Sequence, residues 1–262
     1  MNIYDCHLHS RLSFDSRENM ENYVRIAVAG GDSRFITTEH MDLESHFSPR
    51  HFDIVPDFAR QRQILSRLAA KYPIEMLFGV EAGWRRDIQE RNRQIISQNP
   101  FDFVIMSVHE SERYDVSFPE FRQGRTVDRC YNEYLSLVCE AVESFDDFDT
   151  LGHIDYVLRY AGHTDLDRHS RLLKKIFRRL IEKDKALELN TKAFPDPQAV
   201  ERAVKAVKLY TDMGGRKFTM GSDAHKTQYY KNGFETGIRL LKEHGVDSLM
   251  FYRQRKGEKL PL

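Results

Sequence analysis

The sequence predicts an α/β protein built as a parallel barrel, and three observations carry that prediction. Strand-like runs alternate with helical segments about seven times along 262 residues. The strand runs are short, apolar and end at polar residues, as parallel strands buried on both faces do. Six of the seven end in a residue of metal-ligand type: Asp5-Cys6-His7-Leu8-His9, Thr38-Glu39-His40, Gly79-Val80-Glu81, Ser107-Val108-His109, Leu151-Gly152-His153 and Ser222-Asp223-Ala224-His225. The seventh, Glu188-Leu189-Asn190, ends in a neutral polar group. In a parallel barrel all C-terminal strand ends meet at one mouth, so residues scattered over the whole chain converge on one place.

The elements follow in order. A strand at Ile3–His9 leads to a helix near Glu18–Ala29, then a strand at Phe35–His40 and a helix near Ile54–Lys71. Met76–Ala82 and Phe103–His109 are strands separated by a helix at Ile88–Gln98, and Val127–Phe145 is the next helix. Thr150–Ile154, Ala186–Thr191 and Phe218–Ser222 are strands, separated by helices at His169–Lys183 and Pro197–Met213. Ala199-Val200, Ala203-Val204 and Ala206-Val207 recur at helical spacing between charges, the mark of an amphipathic outer helix, and Pro197 suits its first turn. Gly233–Glu243 is the last helix, and the tail from Ser248 to Leu262 is expected to add a short edge strand. Successive strand ends lie from 28 residues (Glu81 to His109) to 44 residues (His109 to His153) apart, each gap room for one helix and a return loop. No low-complexity linker interrupts the pattern, so residues 1–262 are expected to form one domain. The longest strand-to-helix excursions, Met41–Asp53 and Glu110–Thr126, are rich in aromatic and charged residues and would sit over the mouth.

Composition removes several function classes. Lys+Arg and Asp+Glu are both 40, so the chain lacks the basic excess of a nucleic-acid surface, and no nucleic-acid partner is expected. The most apolar short stretch, Phe103-Val104-Ile105-Met106, is of strand length, so no membrane span is expected. The N-terminus carries Asp5, His7 and His9 where a signal peptide needs an apolar core. Cys6, Cys130 and Cys139 are odd in number and form no CxxC, which fits buried thiols in a cytoplasmic protein.

Residues i and i+2 of a strand share a face, so both imidazoles of His7-Leu8-His9 can reach one ion, as can Asp223 and His225. Singly, His40, Glu81, His109 and His153 read as hydrogen-bonded side chains; it is their conjunction at strand ends that reads as a metal site. Asp5, Asp42 and Asp155 are expected to support neighbours by hydrogen bonds. His46 and His51, after the second strand, read as solvent-exposed before they read as a lid, and His163, His169 and His244 read as structural. Arg159, six residues past His153, and Lys192, just after Asn190, are candidates for holding a phosphate.

The ordered set resembles the polymerase-and-histidinol-phosphatase (PHP) family: the H-x-H at His7 and His9, an acidic residue six positions on at Asp15, then His40, Glu81, His109, His153 and Asp223-x-His225. Within the family, Gly152-His153-Ile154-Asp155-Tyr156, Glu188-Leu189-Asn190-Thr191 and the length of the chain look like the stand-alone histidinol-phosphate phosphatases. The resemblance implies a distorted (β/α)7 barrel with a trinuclear centre at the C-terminal strand ends. His7, His9, Glu81 and Asp223 would hold one metal, Glu81 would bridge to a second with His109 and His153, and Asp15, His40 and His225 would hold the third. Asp15 lies in a loop where the family also uses His. Mixed N/O ligands without thiolates suit Zn, Mn or Fe and argue against a closed structural zinc site.

Three divalent ions against the carboxylates of Asp15, Glu81 and Asp223 leave a positive centre that a phosphate monoester dianion would neutralise. The implied reaction is hydrolysis of L-histidinol phosphate, a step of histidine biosynthesis, by a metal-bridging hydroxide held by Glu81, with His225 and Asp15 beside it and Arg159, Lys192 and Asn190 as substrate contacts. Asp42, Glu44, Glu110 and Glu112 are candidates for reading the substrate's amine, and Phe47, Phe52, Tyr114 and Phe118 for its ring. The alternatives are a PHP phosphoesterase acting on nucleotides, nucleic-acid ends or phosphotyrosine, an amidohydrolase, which would want a bridging lysine, and a non-catalytic PHP module, which would be expected to lose ligands.

Overall fold

The computed structural model describes residues 3–47 and 52–262. Its strands are β1 (Arg34–Ser45), β2 (Phe52–Ile54), β3 (Glu75–Gly83), β4 (Phe103–Ser107), β5 (Thr150–Leu151), β6 (Ala186–Asn190), β7 (Phe218–Gly221), β8 (Ser248–Arg253) and β9 (Lys256–Pro261). Its helices are α1 (Met20–Ala29), α2 (Phe58–Lys71), α3 (Gln89–Gln98), α4 (Pro119–Arg122), α5 (Val127–Ser144), α6 (Leu158–Ala161), α7 (Ser170–Glu182), α8 (Pro197–Asp212) and α9 (Phe234–Glu243). β1, β3, β4, β5, β6 and β7 run parallel in that spatial order, and β2 flanks β1 antiparallel.

The first expected strand supplies the seam that closes this sheet. Residues 3–9 are extended and bond to both edges: Cys6 N donates to Met220 O (3.0 Å) and His9 N to Ala224 O (3.0 Å) on the β7 side, and Thr38 N donates to Leu8 O (2.9 Å) on the β1 side. The ladder is incomplete because Thr38 Oγ1 takes the Leu8 N–H (3.0 Å) that a regular strand would give to a carbonyl. A side chain thereby interrupts the pairing just where His7 and His9 must turn inward. Gly221 faces this seam: a Cβ there would lie 2.3 Å from His7 Cβ and 2.6 Å from Glu188 Oε1, so only glycine lets the strands approach.

Three expectations need correction. The second strand continues beyond His40 to Ser45 and folds back through β2 with a bulge between Asp42 and Ser45, so residues 41–45 are a β-arm. Arg91 on α3 clamps the arm, reaching Glu44 (2.7 Å) and Asp53 (2.6 Å). The following helix starts at Phe58 and not at Ile54, because Ile54 pairs in β2 and Asp57 caps the helix by accepting the Arg60 N–H (2.9 Å). The tail forms a separate β8–β9 hairpin and joins no edge of the main sheet. Its Met250, Phe251 and Tyr252 pack with Tyr4, Cys6, Ile36, Leu77, Phe103, Ile105 and Ala186. Tyr252 stacks on Phe103 at 5.3 Å, and Arg255 pairs with Asp149 (2.5 Å). Phe103 and Ala186 open β4 and β6, so the hairpin plugs the N-terminal end of the barrel and leaves the C-terminal end as the open mouth.

Candidate metal centre

At that mouth the structure brings together all nine residues expected as ligands. Glu81, at the end of β3, is fully buried and stands at the middle. Its Oε2 lies 3.2 Å from His7 Nε2, 3.4 Å from His9 Nε2 and 3.0 Å from His40 Nδ1. Its Oε1 lies 3.2 Å from His109 Nε2 and 2.9 Å from His153 Nε2, and accepts from Ser107 Oγ (2.6 Å). Asp223 reaches His9 (3.4 Å) and His7 (3.9 Å) from the other side. Asp15, on the loop after the first strand, accepts from His225 Nε2 at 2.8 Å and faces His40 Nε2 at 3.5 Å.

The fit to divalent cations rests on atoms left over. His7 Nε2, His9 Nε2, His40 Nδ1 and Glu81 Oε2 are buried without a hydrogen-bond partner among the described residues, and all point into the same space. Uncompensated, such atoms cost about 1–3 kcal/mol each; a shared cation satisfies them together. Among the described residues, three ligand atoms within 4.8 Å of one another occur five times: in His7/His9/Glu81, His7/His153/Asp223, Glu81/His109/His153, His9/His40/His225 and His40/Asp42/His109. The electrostatics show a site that gathers positive charge: against burial, Glu188 and Glu81 raise the His7 ring, and Asp42 and Glu81 raise that of His109. Burial opposes charge on Glu81, yet His7, His40 and His109 around it hold its carboxyl well below the usual range. Burial likewise opposes charge on Asp223, and Lys192, His7 and Arg159 override it. Burial and the neighbouring His40 and His225 push His9 well down, leaving a neutral imidazole with a lone pair to give.

The outer contacts aim the ligands. Glu188 Oε1 meets His7 Nδ1 at 2.6 Å, and its Oε2 accepts the His153 N–H (2.8 Å). Asp42 Oδ1 meets His109 Nδ1 at 2.8 Å. Asp5 bonds Ser222 and Lys231 in support of the β7 end. Asp42 therefore does more than expected of it, since it also lies among the candidate ligand groups. Glu39 and Glu188 escaped the reading of the sequence. The signal was there: an acid inside a strand buried on both faces must have a partner.

Arg159 and Lys192 both reach Asp223, at 2.8 and 2.9 Å, and Arg159 Nη2 donates to Asn190 Oδ1 (2.9 Å). The three substrate-contact candidates thus flank the cluster on one side. Beside the cluster opens a cavity of about 120 Å³, lined by Asp15, His40 and His109 and by Phe14, Phe47, Asp115, Tyr156 and Tyr160 among others. Of the expected amine readers, Asp42 and Glu110 line this cavity, and Glu44 and Glu112 do not; of the ring candidates, only Phe47 does. His46, expected in solvent, instead meets Glu110 Oε2 at 2.8 Å, tying the β-arm to the loop after β4. His51 lies outside the described residues.

The PHP domain family model matches residues 5–192. The histidinol-phosphatase of Lactococcus lactis is 31% identical, over 99% of this chain and 97% of that protein. The probable histidinol-phosphatase of Thermotoga maritima is 30% identical, over 94% of each. The crystal structure of the Lactococcus lactis histidinol phosphate phosphatase, solved with zinc, L-histidinol and phosphate, superposes with a TM-score of 0.91, covering 98% of this chain and 99% of that one. That of a Listeria monocytogenes protein, 18% identical, shares the fold with a TM-score of 0.74, covering 89% of this chain and 99% of that one. The ligand constellation at the barrel mouth and these full-length likenesses coincide, and the chain belongs to the PHP family.

Proposed function

We propose that this protein is a metal-dependent histidinol-phosphatase, hydrolysing L-histidinol phosphate to L-histidinol and phosphate. The observation that carries the reading is the juxtaposition of a buried His/Asp/Glu cluster with a cavity that is both aromatic and acidic. The cluster suits three divalent transition ions, Zn, Mn or Fe, held by His7, His9, Glu81 and Asp223, by Glu81, His109 and His153, and by Asp15, His40 and His225. Bound there, such ions supply Lewis acidity and water of lowered pKa. Residues 1–262 form a single PHP-type barrel in this reading. The place of action is cytoplasmic, in keeping with helices none of which, among the described residues, is long and apolar enough to cross a membrane.

The chain's own residues then divide the substrate between them. Arg159 and Lys192, with Asn190 orienting the guanidinium, bind the phosphate by charge-assisted hydrogen bonds. Phe14, Phe47, Tyr156 and Tyr160 form an apolar wall for the imidazole. The carboxylates of the cavity are not equivalent. Glu110 already takes Arg85 (2.8 Å), Ser45 (2.5 Å) and His46 (2.8 Å), and Asp42 is bound to His109. Among the described residues the Asp115 carboxylate accepts only from Ser117 (N–H to Oδ1, 2.7 Å), and burial pushes its carboxyl up. A cationic amine beside it reverses that cost, so Asp115 reads the amine.

This assignment makes a specificity prediction. Histidinol phosphate should exceed p-nitrophenyl phosphate and a nucleoside monophosphate in kcat/KM by at least about a hundredfold, on the order of 3 kcal/mol, because its remote groups orient the ester. Asp115→Asn should raise KM for histidinol phosphate roughly tenfold or more and leave the p-nitrophenyl ester within about threefold. Steady-state kinetics on the three esters checks both. Faster turnover of the nucleotide would reject the substrate and keep the phosphatase chemistry.

A further inference from the structure

Glu39 is the most deeply buried acid that the chemistry above leaves unused. It lies in β1 next to His40 and is wholly inaccessible. Its partners are all on the loop after the first strand: Oε2 accepts from Ser10 N (2.9 Å) and Ser13 Oγ (2.6 Å), and Oε1 accepts from Ser10 Oγ (2.6 Å). Ser13 Oγ is also 3.2 Å from His9 Nδ1 and accepts the His40 N–H (3.0 Å). Ser13 is itself buried, 3% exposed, so water does not compete for its hydroxyl.

We infer that Ser13 and Glu39 form a positioning relay that fixes the tautomer and ring orientation of His9. The reasoning is a count of protons. A serine hydroxyl has one hydrogen and two lone pairs. The hydrogen of Ser13 goes to Glu39 Oε2, which the backbone N–H of Ser10 already marks as an acceptor. One lone pair takes the His40 N–H, so the contact with His9 has to be an acceptance from Nδ1–H. The proton of His9 is thereby held on Nδ1, and Nε2 turns its lone pair to the Glu81–Asp223 space, where it lies 3.4 Å from each carboxylate. His7 and His109 meet carboxylates directly through Nδ1, whereas His9 is reached through an interposed hydroxyl. The interposition has a geometric reason. The same hydroxyl binds the backbone of His40, so a single side chain sets His9 and pins the 10–17 loop that carries Asp15. Ser16 Oγ anchors the far end of that loop, lying 3.0 Å from His9 O and 3.1 Å from His225 O, between which its one hydrogen is shared.

This inference rests on the metal reading of the site, and its test separates the two. The full chain, stripped of metal, is titrated with zinc against a chromophoric chelator. Wild type should bind zinc tightly; if it binds none, the metal reading itself fails. Ser13→Ala should weaken the zinc site that His9 serves roughly 10- to 100-fold, the usual effect of removing an outer partner of a ligating histidine. Ser10→Ala, which removes another bond to the same carboxylate on the same loop but lies off the path to His9, should stay within about threefold. A loss in Ser10→Ala equal to that in Ser13→Ala would assign the effect to loop packing and overturn the relay, as would wild-type affinity in Ser13→Ala. A measurement without any variant decides independently: nitrogen-15 NMR of the metal-free wild type should already show the His9 ring proton on Nδ1. A proton on Nε2 would overturn the inference outright.

Discussion

Glu81→Gln is expected to cost at least about a thousandfold in kcat/KM, on the order of 4 kcal/mol or more, and to lower metal content from near three ions per chain to near one. The expectation follows from where the carboxylate stands. Its two oxygens face five imidazoles, three on Oε2 and two on Oε1. A carboxylate can accept on both oxygens and carry the negative charge that two cations share. The amide keeps shape and volume but carries no charge, and it presents an N–H donor to one set of ring nitrogens whose lone pairs already face inward. In the proposed centre both sites that share Glu81 would be weakened, whereas the third would keep its own ligands, Asp15, His40 and His225. Ser107 Oγ also donates to Oε1 (2.6 Å), so Gln should orient its oxygen there and turn its nitrogen toward His7, His9 and His40. Elemental analysis of the purified wild type and variant, with a thermal melt to verify folding, is the measurement. An active wild type carrying one ion or none would reject the trinuclear centre, and a Gln variant of full metal content would reject the bridging role.

The strand-end residues were legible because parallel strands impose a simple rule: whatever ends them meets at one place. His7, His9, His40, Glu81, His109, His153 and Asp223 could thus be read together without knowing any distance between them. Asp15 and His225 lie just past strand ends and were read by the same convergence and by resemblance. What escaped depended on contacts between elements remote in sequence. Glu188 pairs with His7 across 181 residues, and Glu39 with Ser13 across 26, through hydrogen bonds that no periodicity encodes. The β-arm at 41–45 carries no strand signal of its own, since its pairing depends on Arg91 of α3 bringing Glu44 and Asp53 together. The tail packs as a hairpin on Tyr4, Phe103 and Ala186, which no local pattern connects to it. Asp115 is not among the candidates that the sequence offers for the amine, because only the structure reveals that Glu110 and Asp42 already have cationic or imidazole partners.

Arg159→Met should lower kcat/KM by about 30- to 1000-fold, roughly 2–4 kcal/mol, without changing metal content. The guanidinium is held in a defined plane before any substrate arrives. Nη1 reaches Asp223 at 2.8 Å and Nη2 reaches Asn190 at 2.9 Å, with the group above the Tyr156 ring at 5.3 Å from its centroid. Nε is buried without a hydrogen-bond partner among the described residues. A phosphate at this rim gains a donor whose ordering cost is already met by the fold. Lys192 contacts Asp223 too, but its side chain is 40% exposed on a flexible stem, and its loss should cost less than about tenfold. Arg159→Lys should recover only part of the activity, because an ammonium cannot keep Asp223 and Asn190 while offering a further parallel donor. The decisive comparison is between the two positions. If Arg159→Met stays within about threefold of wild type while Lys192→Met falls by more than thirtyfold, the phosphate is read by the lysine, and the arginine serves only to hold Asp223 in place.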